Sequence, residues 1–350
     1  MFVLRTRNRV SLTAYRTARS FFVTAPTLIK PIDNQALINV LCMTRGRPDN
    51  LVQAIESAAE RVSDPDNVAM WIYVDDDDAA TLALIETGWH RSIPFPIHWL
   101  VLPRPSTLPE GLNELWRRSS NAAFYMGFPD DYTIVTDNWD AIIRTTMAQE
   151  SSDGMAIGYL CDPLEPNANV TFMIETAQWV NYAGQFLFPY FPFWFSDLWL
   201  QQIADMVDRR IYIDVGVLPM DGSKGKTQTM WDLYFWRRFF HILLVERVDT
   251  AQWLLDYIHP PNSPSREGAL KLMKARIEEI EGNQRRVPNI KLNAVEAKIS
   301  GEKGPPSERY LAALQSAKEH LRTMAPRIKQ YRNERLLRDK IRMLFDEIET

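Results

Sequence analysis

Carboxylates gather in two clusters, each at the end of an apolar, strand-like run. Trp71-Ile72-Tyr73-Val74 leads into Asp75-Asp76-Asp77-Asp78, and Ala122-Ala123-Phe124-Tyr125-Met126 leads through Gly127-Phe128-Pro129 to Asp130-Asp131. Like charges this close repel one another, and a divalent cation or a donor-rich ligand relieves that repulsion. Open α/β sheets form their binding crevice at strand C-termini. The two clusters therefore suggest a nucleotide and a metal at the top of one sheet. The competing accounts are a solvated acidic turn that caps the next helix for Asp75 to Asp78, and a plain turn before Tyr132 for Asp130-Asp131. Asp197 is a further candidate, at the start of a helical segment beside aromatic residues. Burial there would raise its pKa toward the range of a general base. Following Ser196, it could equally serve only to cap the helix or complement its dipole.

The elements that must position these groups follow from hydrophobic patterning. Residues 38–43 read as a buried strand closed by Thr44-Arg45-Gly46-Arg47-Pro48, after which Asp49 or Asn50 can cap a helix carrying Leu51, Ala54, Ile55 and Ala58. Strands follow at 68–74 and 97–102, with a short helix at 81–87 between them. A helix is expected around 110–125, another at 141–148, a strand at 155–160, a helix at 197–207 and a last strand at 209–213. A loop rich in Gly, Ser and Lys (221–229) precedes a helix through Trp236 and Leu244. Such alternation indicates an α/β fold with a mainly parallel sheet. The aromatic stretch 186–199 suits a core or the wall of a binding site.

At 350 residues, with 46% hydrophobic residues, 11 Trp, 16 Phe and 12 Tyr, the chain can bury a sizeable core. A net charge of −4 gives no global argument for nucleic-acid binding. Before Asp33 there is no acidic residue, whereas Arg5, Arg7, Arg9, Arg16, Arg19 and Lys30 are basic. That leader has the composition of an organelle transit peptide, of a basic arm, or of a poorly ordered terminus. No run of 18 apolar residues marks a transmembrane segment. The two cysteines, Cys42 and Cys161, make neither a zinc site alone nor a disulfide scaffold, which fits an intracellular, cytoplasmic location. An organellar or virion-associated protein is the alternative suggested by the leader. Three regions are expected: a basic N-terminal arm (1–32), an α/β domain (33–258) and a charged helical appendage (259–350). The last of these offers a route to a homo-oligomer.

Residues 36–240 resemble the glycosyltransferases of the GT-A fold, especially bacterial and viral members of the family-two group. The resemblance rests on five ordered segments. The first strand with Thr44-Arg45-Gly46-Arg47-Pro48 resembles the nucleotide-side loop. Tyr73-Val74-Asp75-Asp76-Asp77-Asp78 is similar to the segment whose acidic residue contacts the donor's base. Asp130 to Asp140 resembles the metal-binding DxD region. Residues 184–200, with Ser196-Asp197-Leu198-Trp199-Leu200, resemble the acceptor-side segment carrying the catalytic base. Gly225-Lys226, followed by Trp231-Asp232, resembles the loop that closes over the diphosphate.

This resemblance implies a GT-A-like, Rossmann-related fold and a metal-dependent, inverting sugar transfer from a nucleotide-sugar donor. Asp197 would be the base. Thr44, Arg45, Arg47, Asp75, Asp76, Asp77 and Lys226 would bind the donor, and Asp130 and Asp131 would hold Mn²⁺ or Mg²⁺, with the oxygen donor Asp221 as a replacement for the family's third ligand. The acceptor stays open among glycan, lipid, protein and nucleic acid. The chain departs from the family pattern where a third metal ligand, usually His, is expected: Pro219 stands there, and no His lies between His98 and His241. A degenerate domain kept for binding or assembly is therefore the alternative, and a nucleic-acid-modifying transferase a third.

Overall fold

The computed structural model describes residues 36–105, 107–161, 172–188, 191, 195–220 and 233–286, together with the isolated residues 315 and 319. Eight strands form one mixed sheet among the described residues, in the order β3-β2-β1-β4-β7-β6-β8-β5. They are β1 (Ile38–Thr44), β2 (Val68–Asp75), β3 (Ile97–Leu102), β4 (Phe124–Gly127), β5 (Tyr132–Ile134), β6 (Ile157–Cys161), β7 (Met173–Thr176) and β8 (Arg210–Pro219). The pairs β1–β2, β2–β3 and β1–β4 are parallel, whereas β7 runs antiparallel to both β4 and β6. The fold is thus the α/β class that the alternating pattern predicts.

β1 is an almost continuous apolar run because it lies inside the sheet with both faces covered. Ile38, Val40 and Cys42 enter one core while Leu41 enters the other. The first core lies under α1 (Pro48–Arg61) and α4 (Trp139–Glu150), with α2 (Ala79–Glu86) at its margin. The second lies under α3 (Leu108–Arg118), α5 (Ala177–Ala183), α6 (Ser196–Met206), α7 (Leu233–Ile242), α8 (Leu244–Ile258) and α9 (Arg266–Arg286). The result is a sheet between two helical layers. α9 contributes Met273 and Ile277 to the second core and packs against α6 and α8.

Local signals explain the helix ends. α1 starts with Pro48 in its first turn, carries Asp49 there and ends with Arg61, so its charges complement the dipole. Thr107 caps α3 by accepting the Glu110 N–H at 3.2 Å. The helix expected to run to 125 ends at Arg118 instead. The Ala123 and Phe124 amides bond the Leu37 carbonyl, and the chain from Phe124 is drawn into the sheet beside β1. Tertiary pairing overrides local helix preference there. β5, β7 and α5 are additions to the elements read from the sequence. Glu175 on β7 lies opposite Tyr125 and Ile157, fully buried, and neither carboxyl oxygen has a hydrogen-bond partner among the described residues. Burial pushes its carboxyl well above the usual range.

Candidate active site

The half of the sheet ordered β3-β2-β1-β4 is parallel, so Thr44, Asp75, Leu102 and Gly127 end their strands at one edge. The chain leaves β1 toward β2 through α1 on one face, and reaches β4 through α3 on the other. This change of direction makes the gap between β1 and β4 a topological switch point, where open α/β sheets place ligands. Both acidic clusters border it.

The loop that follows β1 spans the two clusters. Thr44 donates its hydroxyl to Asp130 Oδ2 at 2.7 Å. Arg45 bonds Asp75 Oδ2 at 2.6 Å and both carboxylate oxygens of Asp77. The Gly46 amide reaches Asp78 Oδ2 at 2.7 Å. Arg47 forks between Asp131 Oδ2, at 2.9 Å, and Asp130 Oδ1. Gly46 has φ +64°, a left-handed conformation that favours glycine, which explains its place between two arginines.

The carboxylates differ in their surroundings. Asp130 is fully buried, and that burial pushes its pKa up to about 6, against the lowering pull of Thr44 and Arg47. Asp77 is exposed, and its hydrogen bonds to Arg45 hold it below the ordinary carboxylate range. Asp78 is buried and caps α2, accepting the Thr81 amide at 3.3 Å and its hydroxyl at 2.6 Å. Asp76 is exposed at the rim, its amide bonded to the Leu102 carbonyl. Arg104, which sequence reasoning passed over, brings its Nε within 4.0 Å of Asp75. Only its position just beyond the third strand could have flagged it.

Downstream of Asp131 the DxD-like region turns structural. Buried Asp140 accepts the amides of Ser63 and Asp64 and pairs with Arg144, tying α4 to the end of α1. Trp139 donates its indole N–H to the Ala58 carbonyl at 3.0 Å. The Met220 amide bonds the Asp131 carbonyl at 3.0 Å, so β8 delivers the chain to the acidic pair. Asp221 and Lys226 lie outside the described residues.

Asp197 lies in the first turn of α6, whose N-cap is Phe195 in a left-handed conformation (φ +74°), with no side-chain cap. Neither Ser196 nor Asp197 is therefore the N-cap, although Asp197, an acid in the first turn, does complement the helix dipole. Burial raises the Asp197 pKa, opposed less strongly by the backbone amides of Leu198 and Asp197 itself. No described hydrogen bond or ion pair joins Asp197 to the acidic clusters. Aromatic residues pack near Gly127 and on α6. Phe186 faces Gly127, where an added Cβ would sit 3.4 Å from its ring. Phe188 and Phe191 then pack against Trp199 of α6. Phe186, Phe188, Phe191 and Trp199 are buried, and this part of the aromatic run is core. Asn113 on α3 fixes its path by accepting the Phe186 and Leu187 amides and donating to the Leu187 carbonyl.

No protein-family model matches the chain, and no curated protein does. Among solved structures, the chain is similar to S. aureus TarS 1-349, with 12% identity over 89% of each chain and a TM-score of 0.47. It is also similar to the mannosyltransferase PcManGT from Pyrobaculum calidifontis in complex with GDP-Man and Mn²⁺, with 12% identity over 83% of this chain and 90% of that one and a TM-score of 0.45. A third likeness is to GalNAc-T7 with UDP, GalNAc and Mn²⁺, at 9% identity and a TM-score of 0.45, over 69% of this chain and 55% of that one. No helix among the described residues is long and apolar enough to cross a membrane.

Proposed function

We propose that the protein is a glycosyltransferase that moves a sugar from a nucleotide-sugar donor to an acceptor hydroxyl, with inversion at the anomeric carbon. The observation that carries this reading is the switch point between β1 and β4, where two carboxylate clusters and two arginines converge. A nucleoside diphosphate needs both kinds of group: acceptors for its base and ribose donors, and cations for its phosphates. Asp75 at the buried strand end and Asp76 and Asp77 at the rim supply the former. Arg45, Arg47 and Arg104 supply the latter.

Asp130 and Asp131 offer hard oxygen donors of the kind that suit Mn²⁺ or Mg²⁺. The described residues contain no group of three or more His, Cys, Asp or Glu placed to hold a metal ion. A cation here would thus rest on two carboxylates, with its remaining positions filled by the diphosphate, by water or by residues beyond those described, such as Asp221. When bound, it would neutralise charge on the departing diphosphate. Asp197 takes the proton of the acceptor hydroxyl as its oxygen attacks the anomeric carbon and the diphosphate leaves. Its raised pKa suits that task. On the same reading Lys226, which lies outside the described residues, would add positive charge to the diphosphate.

Thermal unfolding with a panel of nucleoside diphosphates, with and without Mn²⁺, tests the proposal. A ligand that binds only the folded chain must raise the melting temperature. The expected result is a metal-dependent rise with one nucleotide class. No rise with any nucleotide at millimolar concentration sinks the reading. That outcome would turn attention to a second one, favoured by the Arg47 fork that already satisfies Asp130 and Asp131: a domain of this fold kept for binding or assembly.

A further inference from the structure

We propose that Arg47 is a resident counter-ion, which a divalent cation must displace from Asp130 and Asp131 and which then becomes a ligand of the donor's diphosphate. This inference rests on the glycosyltransferase reading and specifies how its site is filled. Four consecutive residues, Thr44 to Arg47, each donate to a carboxylate of one or other cluster. Thr44 takes Asp130 Oδ2, while Arg47 takes Asp130 Oδ1 and Asp131 Oδ2. A divalent cation that used both carboxylates would compete with the guanidinium at Asp130, where Thr44 and Arg47 already take both oxygens. Their joint occupancy would also set two like charges within a few ångströms of each other.

The Arg47 side chain can let go while the loop stays in place. Thr44 and Gly46 anchor the loop's backbone, whereas the two arginine contacts are ionic, and the Arg45 and Arg47 side chains keep 40% and 33% of their surface in solvent. A guanidinium released beside the cation stays next to the switch point. Its planar fork matches a phosphate as well as it matches a carboxylate. Cation and nucleotide must then help each other bind: the phosphates draw Arg47 away, which opens the carboxylates. Because this coupling is a free energy, it is reciprocal.

The test is a titration of Mn²⁺ alone, followed by the magnetic resonance signal of the free ion, on the full chain and on Arg47→Gln and Arg47→Lys. Circular dichroism melting confirms that each variant folds, and Arg47→Lys stands in should the neutral variant fail to. The expected result is Mn²⁺ binding at least tenfold tighter in Arg47→Gln than in the parent, with Arg47→Lys between them. In saturating Mn²⁺, the same variants should bind UDP or GDP about tenfold more weakly than the parent. Equal Mn²⁺ affinity in parent and variants, with nucleotide binding intact, overturns the counter-ion role and leaves the transferase reading standing. If none of the proteins binds UDP or GDP with Mn²⁺, both fall together.

Discussion

The two acidic clusters look alike in sequence but occupy different physical environments. Asp75 to Asp78 follows β2 and spreads from a buried strand end to the exposed rim, so its four carboxylates divide the work. Asp75 and Asp77 meet Arg45, Asp76 faces solvent, and Asp78 turns inward to cap α2. Asp130-Asp131 follows β4 and sits deeper, with Asp130 wholly buried and both residues held by one guanidinium. A buried carboxylate such as Asp130 is costly unless a cation satisfies it. An exposed one is screened by water and costs little. The deep cluster is thus suited to handling charge, and the rim cluster to recognising a ligand's donors.

The largest break in that comparison should come from Asp131→Ala. Removing half of the deep pair should weaken Mn²⁺-dependent nucleoside diphosphate binding by about 100-fold, or about 2.7 kcal/mol. Calorimetry with and without Mn²⁺ measures it. The metal-independent part of the binding should change far less, because Arg45 and the rim remain. Equal losses with and without Mn²⁺ would show that the deep pair has no special hold on the ion.

The second prediction concerns protons. The Asp130 pKa is raised from 3.8 to about 6 in the folded chain. Between those values the folded state retains a proton that the unfolded state has lost. The contribution of Asp130 is therefore fully present below pH 3.8 and is lost as pH rises through about 6. A rise from 3.8 to about 6 corresponds to about 3 kcal/mol at most. Asp130→Asn should remove this slope, so denaturant titrations of parent and variant should diverge between pH 4 and 6 and run parallel above about pH 7. Parallel curves throughout would mean that Arg47 and Thr44 fully offset the burial of Asp130.

The contrast between the clusters was only partly legible in the sequence. Apolar runs ending in carboxylates located both, because a strand buried on two faces leaves a plain hydrophobic signature. The pairing of the Arg45 loop with both clusters was not legible. Arg47 and Asp130 are 83 positions apart and meet only because β1 pairs with β4 in a particular register, Ile38 opposite Phe124. Local patterning carries no such information. The overrun of the helix past Arg118 has the same origin, since the partner of residues 123 and 124 is the strand entry at Leu37. β7 was missed because four residues including a buried Glu175 do not resemble a strand of any standard pattern. Within the rim cluster, the capping account holds for Asp78. Type alone could not single it out from its three neighbours, because the choice depends on which carboxylate faces Thr81.

That division of labour leads to the smallest effect, and it needs two variants rather than one. Asp78→Ala removes an N-cap and leaves the Thr81 hydroxyl and the Gly46 amide without their acceptor, which should cost about 1–2 kcal/mol in denaturant unfolding. Asp77→Ala, one position away but exposed, should leave the unfolding midpoint where it is while weakening nucleotide binding. The pair thus separates the structural carboxylate from the recognition carboxylate in a single run of acids. If Asp77→Ala destabilises the chain as much as Asp78→Ala does, the ion pair with Arg45 is holding the loop in place, and the rim cluster serves the fold more than the ligand.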